Sequence, residues 1–257
     1  MILAIDCGNT HVTFGCIGEN GTTEPIFRIP TDRAETDFGY AAKIQQILTL
    51  YRLSPSDFEG AVISCVVPPL TSVLSRAVQL LTGHCALVVG AGVKTGLHIA
   101  INDPGTIASD LVAAAVAAKE EYPLPCIIID MGTATTVTVV DEKARYIGGA
   151  ILAGVGISQD ALAEQTSLLP DIDLQPPRNA IAANTVDSMK SGMIYGTAGA
   201  IDGLLDRFSE ELGREPASIV ATGGISPLIC PHCRHAIKLD ETLLMKGLWL
   251  IWKKNQK

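Results

Sequence analysis

The chain has 257 residues, of which 47% are hydrophobic, and its formal net charge is −8. This acidic balance argues against a nucleic-acid partner, which would require a basic surface. No apolar run approaches the roughly 20 residues of a membrane-spanning helix, so we expect no membrane partner either. Because Met1 leads straight into an apolar, strand-like run, there is no room for a signal peptide, and we expect a cytoplasmic protein.

The first element is an apolar run, Ile2 to Ile5, which breaks at Asp6 into a Cys-Gly-Asn-Thr loop. Val12 to Ile17 then pairs back as a second strand, and an Asn-Gly turn leads into a third, Glu24 to Ile29. A carboxylate beside a glycine and hydroxyl loop suits a metal-bound nucleotide, because the carboxylate would repel bare phosphate.

The rest of the first half alternates helices and strands. Residues 41–51 have apolar side chains at helical spacing, and 60–67 return to strand character. A Pro-Pro pair stops that strand before a helix over 70–81, and 86–89 form a short buried strand. The order βββαβαβ is that of a ribonuclease-H-like unit.

A strongly helix-forming segment begins at Ile107 and carries Asp110 near its start. The helix dipole favours a carboxylate at that position, so Asp110 has a purely structural interpretation. It could also serve as a base at a cleft. The segment alone leaves both interpretations open.

The second half repeats the plan of the first. Ile127 to Asp130 is a buried strand that ends in Met-Gly-Thr-Ala-Thr-Thr, so Asp130 and Asp6 are each followed two residues later by glycine. They lie about half the chain length apart, which predicts two similar units with both loops facing one cleft. Further predicted elements are strands at 135–140, 146–150 and 219–221, helices at 158–169, 186–208 and 247–252, a loop at 171–184, and a glycine loop at 222–224.

Six motifs together resemble the acetate and sugar kinase, Hsp70 and actin superfamily, and within it the type III pantothenate kinases. They are DCGNT (6–10), SCVVP (64–68), DMGTATT (130–136), GGAILAGVGIS (148–158), NTVDSMKSGMIYG (184–196) and TGG (222–224). We therefore expect an α/β protein with duplicated ribonuclease-H-like, actin-like ATPase domains, each with a mixed five-stranded sheet. The expected domains are residues 1–115 and 116–257.

The resemblance implies an ATP-dependent kinase that phosphorylates pantothenate to 4'-phosphopantothenate in the first step of coenzyme A biosynthesis. It implies a homodimer, Mg²⁺ bound with ATP, a monovalent cation (K⁺ or NH₄⁺) at Asp130, and Asp110 as catalytic base. The residues implied to bind ATP are Asp6, Cys7, Gly8, Asn9, Thr10, His11, Val12, Thr13 and Thr133. The residues implied to lie near pantothenate are Ile101, Ala108, Ser109, Asp110, Leu111 and Thr185.

The sequence departs from the family pattern on the acceptor side. Ile101 stands where the family usually has Tyr, Thr106 where it has Glu, Ala108 where it has Gly, and Leu111 where it has Arg. The last change matters most, because an arginine can fix a carboxylate and a leucine cannot hydrogen-bond. Thr138 also replaces a usual Asp.

Two alternatives therefore remain beside a pantothenate kinase. One is a kinase for a different small alcohol that lacks the carboxylate. The other is a nucleotide-binding paralogue that acts as a regulatory partner and not as an enzyme.

A separate cluster, Cys230, His232, Cys233 and His235, contains possible metal ligands. One C-x-x-C pair is half a zinc site, and no second pair stands at suitable spacing. The spacing favours a loop without metal, and a zinc shared across a dimer is the alternative.

Overall fold

The computed structural model describes residues 1–256. The strands are β1 (Ile2–Cys7), β2 (His11–Ile17), β3 (Thr23–Pro30), β4 (Gly60–Cys65), β5 (Ala86–Val88), β6 (His98–Ile99), β7 (Cys126–Met131), β8 (Ala134–Val140), β9 (Arg145–Ala153), β10 (Ser218–Thr222) and β11 (Lys238–Leu239). The helices are α1 (Asp37–Leu50), α2 (Pro68–Thr82), α3 (Ser109–Glu121), α4 (Val155–Gln165), α5 (Thr185–Ser191), α6 (Thr197–Leu212), α7 (Ser226–Ile229) and α8 (Leu243–Lys254).

The chain divides into two compact units. The first unit contains Met1–Leu97, Asn102–Glu120 and the C-terminal segment from Thr242, and the second contains His98–Ile101 and Glu121–Glu241. A boundary between residues 115 and 116 would fall inside α3. The last helix, α8, returns to the first unit.

The first unit is built on a five-stranded mixed sheet in the order β3-β2-β1-β4-β5. Strands β1, β2 and β3 are antiparallel neighbours, whereas β4 and β5 run parallel to β1. Alternate residues of β1 and β2, such as Leu3, Ile5 and Phe14, join an apolar cluster with α1 and α2. Helix α8 packs on β1 and β4, where Trp252 leaves little room beyond a glycine at Gly60.

The second unit repeats this arrangement with one addition. Its sheet has the order β11-β10-β7-β8-β9-β6, so β9-β8-β7-β10-β11 corresponds to β3-β2-β1-β4-β5. The predicted duplication and the mixed α/β class are confirmed. The expectation of five strands holds for the first sheet, and the second carries the two-residue β6 as a sixth strand.

Several predicted boundaries differ from the observed ones. The predicted helix over 186–208 is three segments, because the backbone of Gly192–Gly196 adopts a π-helical turn between α5 and α6. Helix α4 begins at Val155 and not at Ser158, since Gly154 is the extended residue before it. The short elements β6, α7 and β11 were not anticipated, because two to four residues carry no periodic pattern. Within residues 1–256, no helix has the length and hydropathy needed to cross a membrane.

Candidate functional site

The β1–β2 hairpin carries the first Asp-Gly loop. The Gly8 N–H donates to the His11 carbonyl at 3.0 Å and closes the turn. Asn9, Thr10 and His11 are exposed at its tip, whereas the side chains of Cys7 and Val12 lie fully buried in the apolar cluster. Of the eight predicted ATP-binding residues in this hairpin, Cys7 and Val12 could therefore contact a ligand only through their backbone.

The segment after β3 braces this loop. The Thr31 hydroxyl donates to the Gly8 carbonyl at 2.7 Å, and the Thr31 N–H donates to the Thr10 carbonyl at 2.9 Å. The Arg33 guanidinium donates to the Asn9 side-chain oxygen at 3.1 Å. No motif in the sequence predicts this cation, which offsets part of the acidic charge beside a loop suited to phosphate.

Asp110 is held at the start of α3 by a pair of serines. The Ser64 and Ser109 hydroxyls lie 3.0 Å apart, and the Cys65 N–H donates to the Ser109 hydroxyl at 3.1 Å. Ser64 is the register neighbour of Asp6 in the parallel β1–β4 pair. The start of α3 therefore lies at the same end of the sheet as Asp6, and the structure brings these two predicted site residues to one edge.

The environment of Asp110 favours its protonated form. Burial raises the pKa of this carboxyl, while hydrogen bonds from backbone N–H groups oppose the rise. One of them is the Leu111 N–H, which donates to Asp110 Oδ1 at 2.7 Å. A raised pKa brings a carboxylate closer to the range in which a general base works well.

The β7–β8 hairpin carries the second Asp-Gly loop. The Gly132 N–H donates to the Ala134 carbonyl at 3.1 Å, and Thr133 is exposed at the turn. Gly154 donates its N–H to the Thr133 carbonyl at 3.2 Å, and a Cβ on Gly154 would collide with that carbonyl oxygen. Gly154, directly after β9, thus packs on the loop, a role that the motif by itself does not reveal.

Thr136 lies directly opposite Asp130 in the antiparallel β7–β8 pair, so their side chains share one face of the sheet. The Thr136 and Thr135 side-chain hydroxyls are buried and, among residues 1–256, make no hydrogen bond. A buried hydroxyl without a partner is costly. The Thr136 hydroxyl lies on the same face of the sheet as the Asp130 carboxylate, so it is available to a water or a cation.

The third glycine loop closes on the same strand end. Thr222 is the register neighbour of Asp130 in the parallel β7–β10 pair. Gly223 has φ of +91°, and a Cβ there would lie 2.5 Å from the Met131 carbonyl oxygen. Only glycine fits this position, so the Asp130 loop and the 222–224 loop form one packed structure in the second unit.

The predicted acceptor residues fall in two groups. Ala108, Ser109, Asp110 and Leu111 lie at the start of α3 in the first unit. Ile101 and Thr185 belong to the second unit, where Thr185 is exposed at the start of α5 beneath the Asn184 cap. Because the two groups belong to different units, their common role stays a prediction.

The cysteine and histidine segment near α7 makes protein contacts. The Arg234 N–H donates to both oxygens of the Asp202 carboxylate at 3.0 Å, and His235 Nε2 lies 2.8 Å from Asp206 Oδ1. Burial raises the pKa of the Cys230 and Cys233 thiols to about 11 and about 12. In the part of the chain that is described, no three histidine, cysteine or acidic side chains group as a metal site.

Comparison with known proteins adds a family to this geometry. A family model described as type III pantothenate kinase matches residues 2–207. Two proteins named type III pantothenate kinase, from Brevibacillus brevis and Halalkalibacterium halodurans, are each 38% identical to this chain. The alignments cover 100% and 99% of this chain and 100% of each relative.

Solved structures show the same fold at low identity. One is the activator of the 2-hydroxyisocaproyl-CoA dehydratase from Clostridium difficile with bound ADPNP, with TM-score 0.59, 13% identity and coverage of 100% of this chain and 98% of that one. Another is an inorganic polyphosphate/ATP-glucomannokinase from Arthrobacter sp. strain KM, with TM-score 0.51, 13% identity and coverage of 98% and 97%. These likenesses support the actin-like ATPase fold and nothing finer.

Proposed function

The chain belongs to the type III pantothenate kinase family, and we propose that it transfers the γ-phosphoryl group of ATP to pantothenate, giving 4'-phosphopantothenate in the first step of coenzyme A biosynthesis. Membership of this family also makes the chain an ATP-dependent kinase. The alignments cover the whole length of both relatives.

The observation that carries the proposed chemistry is the Ser64–Ser109 hydrogen bond, which holds Asp110 at the strand edge that also carries Asp6. Phosphoryl transfer asks the protein mainly to align the attacking hydroxyl and to offset charge. Asp110 would accept the proton of the pantothenate hydroxyl while the hydroxyl oxygen bonds to the γ-phosphorus. The bond from that phosphorus to the bridging oxygen breaks, and ADP leaves.

The two hairpin loops are proposed to hold the phosphates of ATP. In the first loop the contacts would come from Asp6 to Thr13, with Cys7 and Val12 acting through backbone groups only. In the second, Thr133 would contribute its hydroxyl and N–H. The Arg33 side chain supports this assignment, because it supplies positive charge beside the first loop.

The donor set around Asp130 fits a monovalent cation such as K⁺ or NH₄⁺. A carboxylate and the unpartnered Thr136 hydroxyl are oxygen donors on one face of the sheet, and oxygen donors suit hard metal cations and ammonium. Thr138, two residues further along the same face, offers a neutral oxygen where the family has a carboxylate. Mg²⁺ and this cation, when bound, would offset the negative charge of the phosphates.

A second candidate function is supported by the acceptor side. The side chains of Leu111 and Ile101 cannot hydrogen-bond a carboxylate, so a kinase for a small alcohol without a carboxylate fits these residues. A homodimer is also part of the proposal, as the family resemblance implies. A cytoplasmic location is part of the proposal.

The test supplies purified protein with ATP, Mg²⁺, K⁺ and either pantothenate or pantothenol, its analogue without a carboxylate, and identifies products by mass spectrometry. Phosphopantothenate, lost in Asp110→Asn, supports the main proposal. Phosphorylation of pantothenol alone would favour the second candidate. ATP binding without turnover of either alcohol would reject both.

A further inference from the structure

Two free cysteines are neighbours at the end of the first sheet. Cys7 ends β1 and Cys65 ends β4, and they are register partners in the parallel β1–β4 pair. The Val66 N–H donates to the Cys7 carbonyl at 3.0 Å and continues the pairing past them. Both side chains join the same apolar cluster, so they lie on one face.

This placement suits a disulfide. Neighbouring strands lie about 4.7–4.9 Å apart, and disulfides join residues whose Cα atoms are about 4.4–6.8 Å apart. Because the Cβ atoms of a disulfide lie about 3.5–4.5 Å apart, a bond between Cys7 and Cys65 requires a small approach of the two strand ends but no change of strand register.

The two thiols have different proton affinities. The neighbouring Cys7 thiol is the main cause that lowers the pKa of Cys65; burial opposes this, and the Thr71 hydroxyl and the Val67 backbone assist. The same interaction, together with burial and the nearby Asp6 charge, raises the pKa of Cys7. Cys65 also lies three residues before α2, whose N-terminal dipole favours an anion.

Accessibility separates the thiols in the same way. Cys7 is fully buried, whereas Cys65 is partly exposed. In its protonated form, Cys65 donates to the Val67 carbonyl at 3.2 Å. Cys65 is thus the thiol that an oxidant in solution can reach, and Cys7 is the neighbouring thiol on the adjacent strand.

We propose that Cys65 is an oxidative modification site, at which a peroxide converts the thiolate to a sulfenic acid that Cys7 then resolves as a Cys7–Cys65 disulfide. In the first step the sulfur bonds to a peroxide oxygen, the O–O bond breaks, and the departing hydroxide takes a proton and becomes water. In the second, the Cys7 sulfur displaces the sulfenic oxygen, which leaves with the Cys7 proton as a second water. The two sulfurs lose two electrons, and the peroxide gains them.

The disulfide would connect two parts of the site. Cys7 leads directly into the Gly8 loop, and the Cys65 N–H holds the Ser109 hydroxyl beside Asp110. Fixing both strand ends would restrain the phosphate loop and the start of α3 together. This effect on activity rests on the proposed function, whereas disulfide formation does not.

The test treats the fully reduced chain with a small excess of hydrogen peroxide, blocks remaining thiols, digests without reduction and looks for a Cys7–Cys65 linked peptide. We expect that peptide to be the main cross-link, with loss of two thiols per chain, and we expect Cys65→Ser to abolish it. Cys85→Ser is the matched control, because Cys85 is exposed and has no part in the pair. Cross-linking that leaves Cys65 free, or that persists in Cys65→Ser, would overturn the proposal.

Kinase activity is then followed in the same samples. Peroxide should lower the activity of the unmodified chain by at least tenfold, and dithiothreitol should restore it. Cys65→Ser, measured against its own untreated activity, should lose less than twofold. A linked peptide without loss of activity would leave the modification site standing and refute its effect on catalysis.

Discussion

Replacement of Ser109 by alanine tests the geometry on which the proposed base depends. The Ser109 hydroxyl meets two groups, the Ser64 hydroxyl at 3.0 Å and the Cys65 N–H at 3.1 Å. Ser64 is fully buried, so water cannot readily replace the lost partner. Each buried group left without a partner costs about 1–3 kcal/mol, so for two groups we expect the free energy of unfolding to fall by about 2–6 kcal/mol.

The same change should loosen Asp110, the next residue along α3. A displacement of about 1 Å can cost about 100-fold in rate, so we expect kcat to fall by roughly 10- to 100-fold. The KM for ATP should change less, because the phosphate loops keep their own contacts. Urea unfolding and steady-state kinetics on the same preparation measure both effects.

Two control variants make the test specific. Ser109→Thr keeps the hydroxyl and should recover most of the loss. Ser56→Ala makes the same chemical change at an exposed serine and should stay within about 0.5 kcal/mol of the unmodified chain. If Ser109→Ala unfolds at the same urea concentration as Ser56→Ala and keeps its kcat, the serine pair does not position Asp110.

Three further predictions concern the carboxylates and loops. Asp110→Asn should lower kcat by about 100- to 10,000-fold. Because burial raises the pKa of Asp110, its ionisation destabilises the native state as pH rises. The variant should therefore have a higher melting temperature than the unmodified chain at pH 7 and lose that advantage below about pH 4. Equal melting temperatures at pH 7 would contradict the burial argument. Gly154→Ala forces a methyl group against the Thr133 carbonyl, so it should lower the free energy of unfolding by about 1–3 kcal/mol and raise the KM for ATP. In the control Gly156→Ala the new methyl group meets nothing within 4 Å, and neither effect should appear. Similar kinetics for the two variants would refute the packing role. Thr136→Val removes a buried hydroxyl without a partner and should leave stability unchanged or higher while it weakens activation by K⁺; an unchanged K⁺ titration would remove Thr136 from the cation site.

The local pattern of apolar residues was sufficient to predict the strands that carry the two loops. Ile2 to Ile5 and Ile127 to Ile129 are apolar at every position, as strands covered on both faces require, and each is followed by an Asp with a Gly two residues later. The repeat of this signal half a chain apart predicted the duplicated sheet, which the matching strand orders confirm. The motifs also identified the family, because their order and spacing extend over most of the chain.

Contacts between distant residues were beyond sequence reasoning. Nothing in the sequence signals that Ser109 meets Ser64, that Arg33 meets Asn9, or that Cys7 and Cys65 are neighbours, because sheet register and helix docking bring each pair together. The short strands β6 and β11 likewise exist only because a longer strand is available to pair with them.

The sequence by itself therefore determined the class of fold, the duplicated plan, the family and the positions of the carboxylates, since these follow from periodicity and from residues adjacent in the chain. Only the tertiary structure decided which side chains of the predicted loops are exposed, which glycines pack on a neighbouring backbone, and where Asp110 is anchored. The physical reason is that burial, hydrogen bonding and pKa depend on what surrounds a side chain. Those surroundings are supplied by strands and helices that are far away in the sequence.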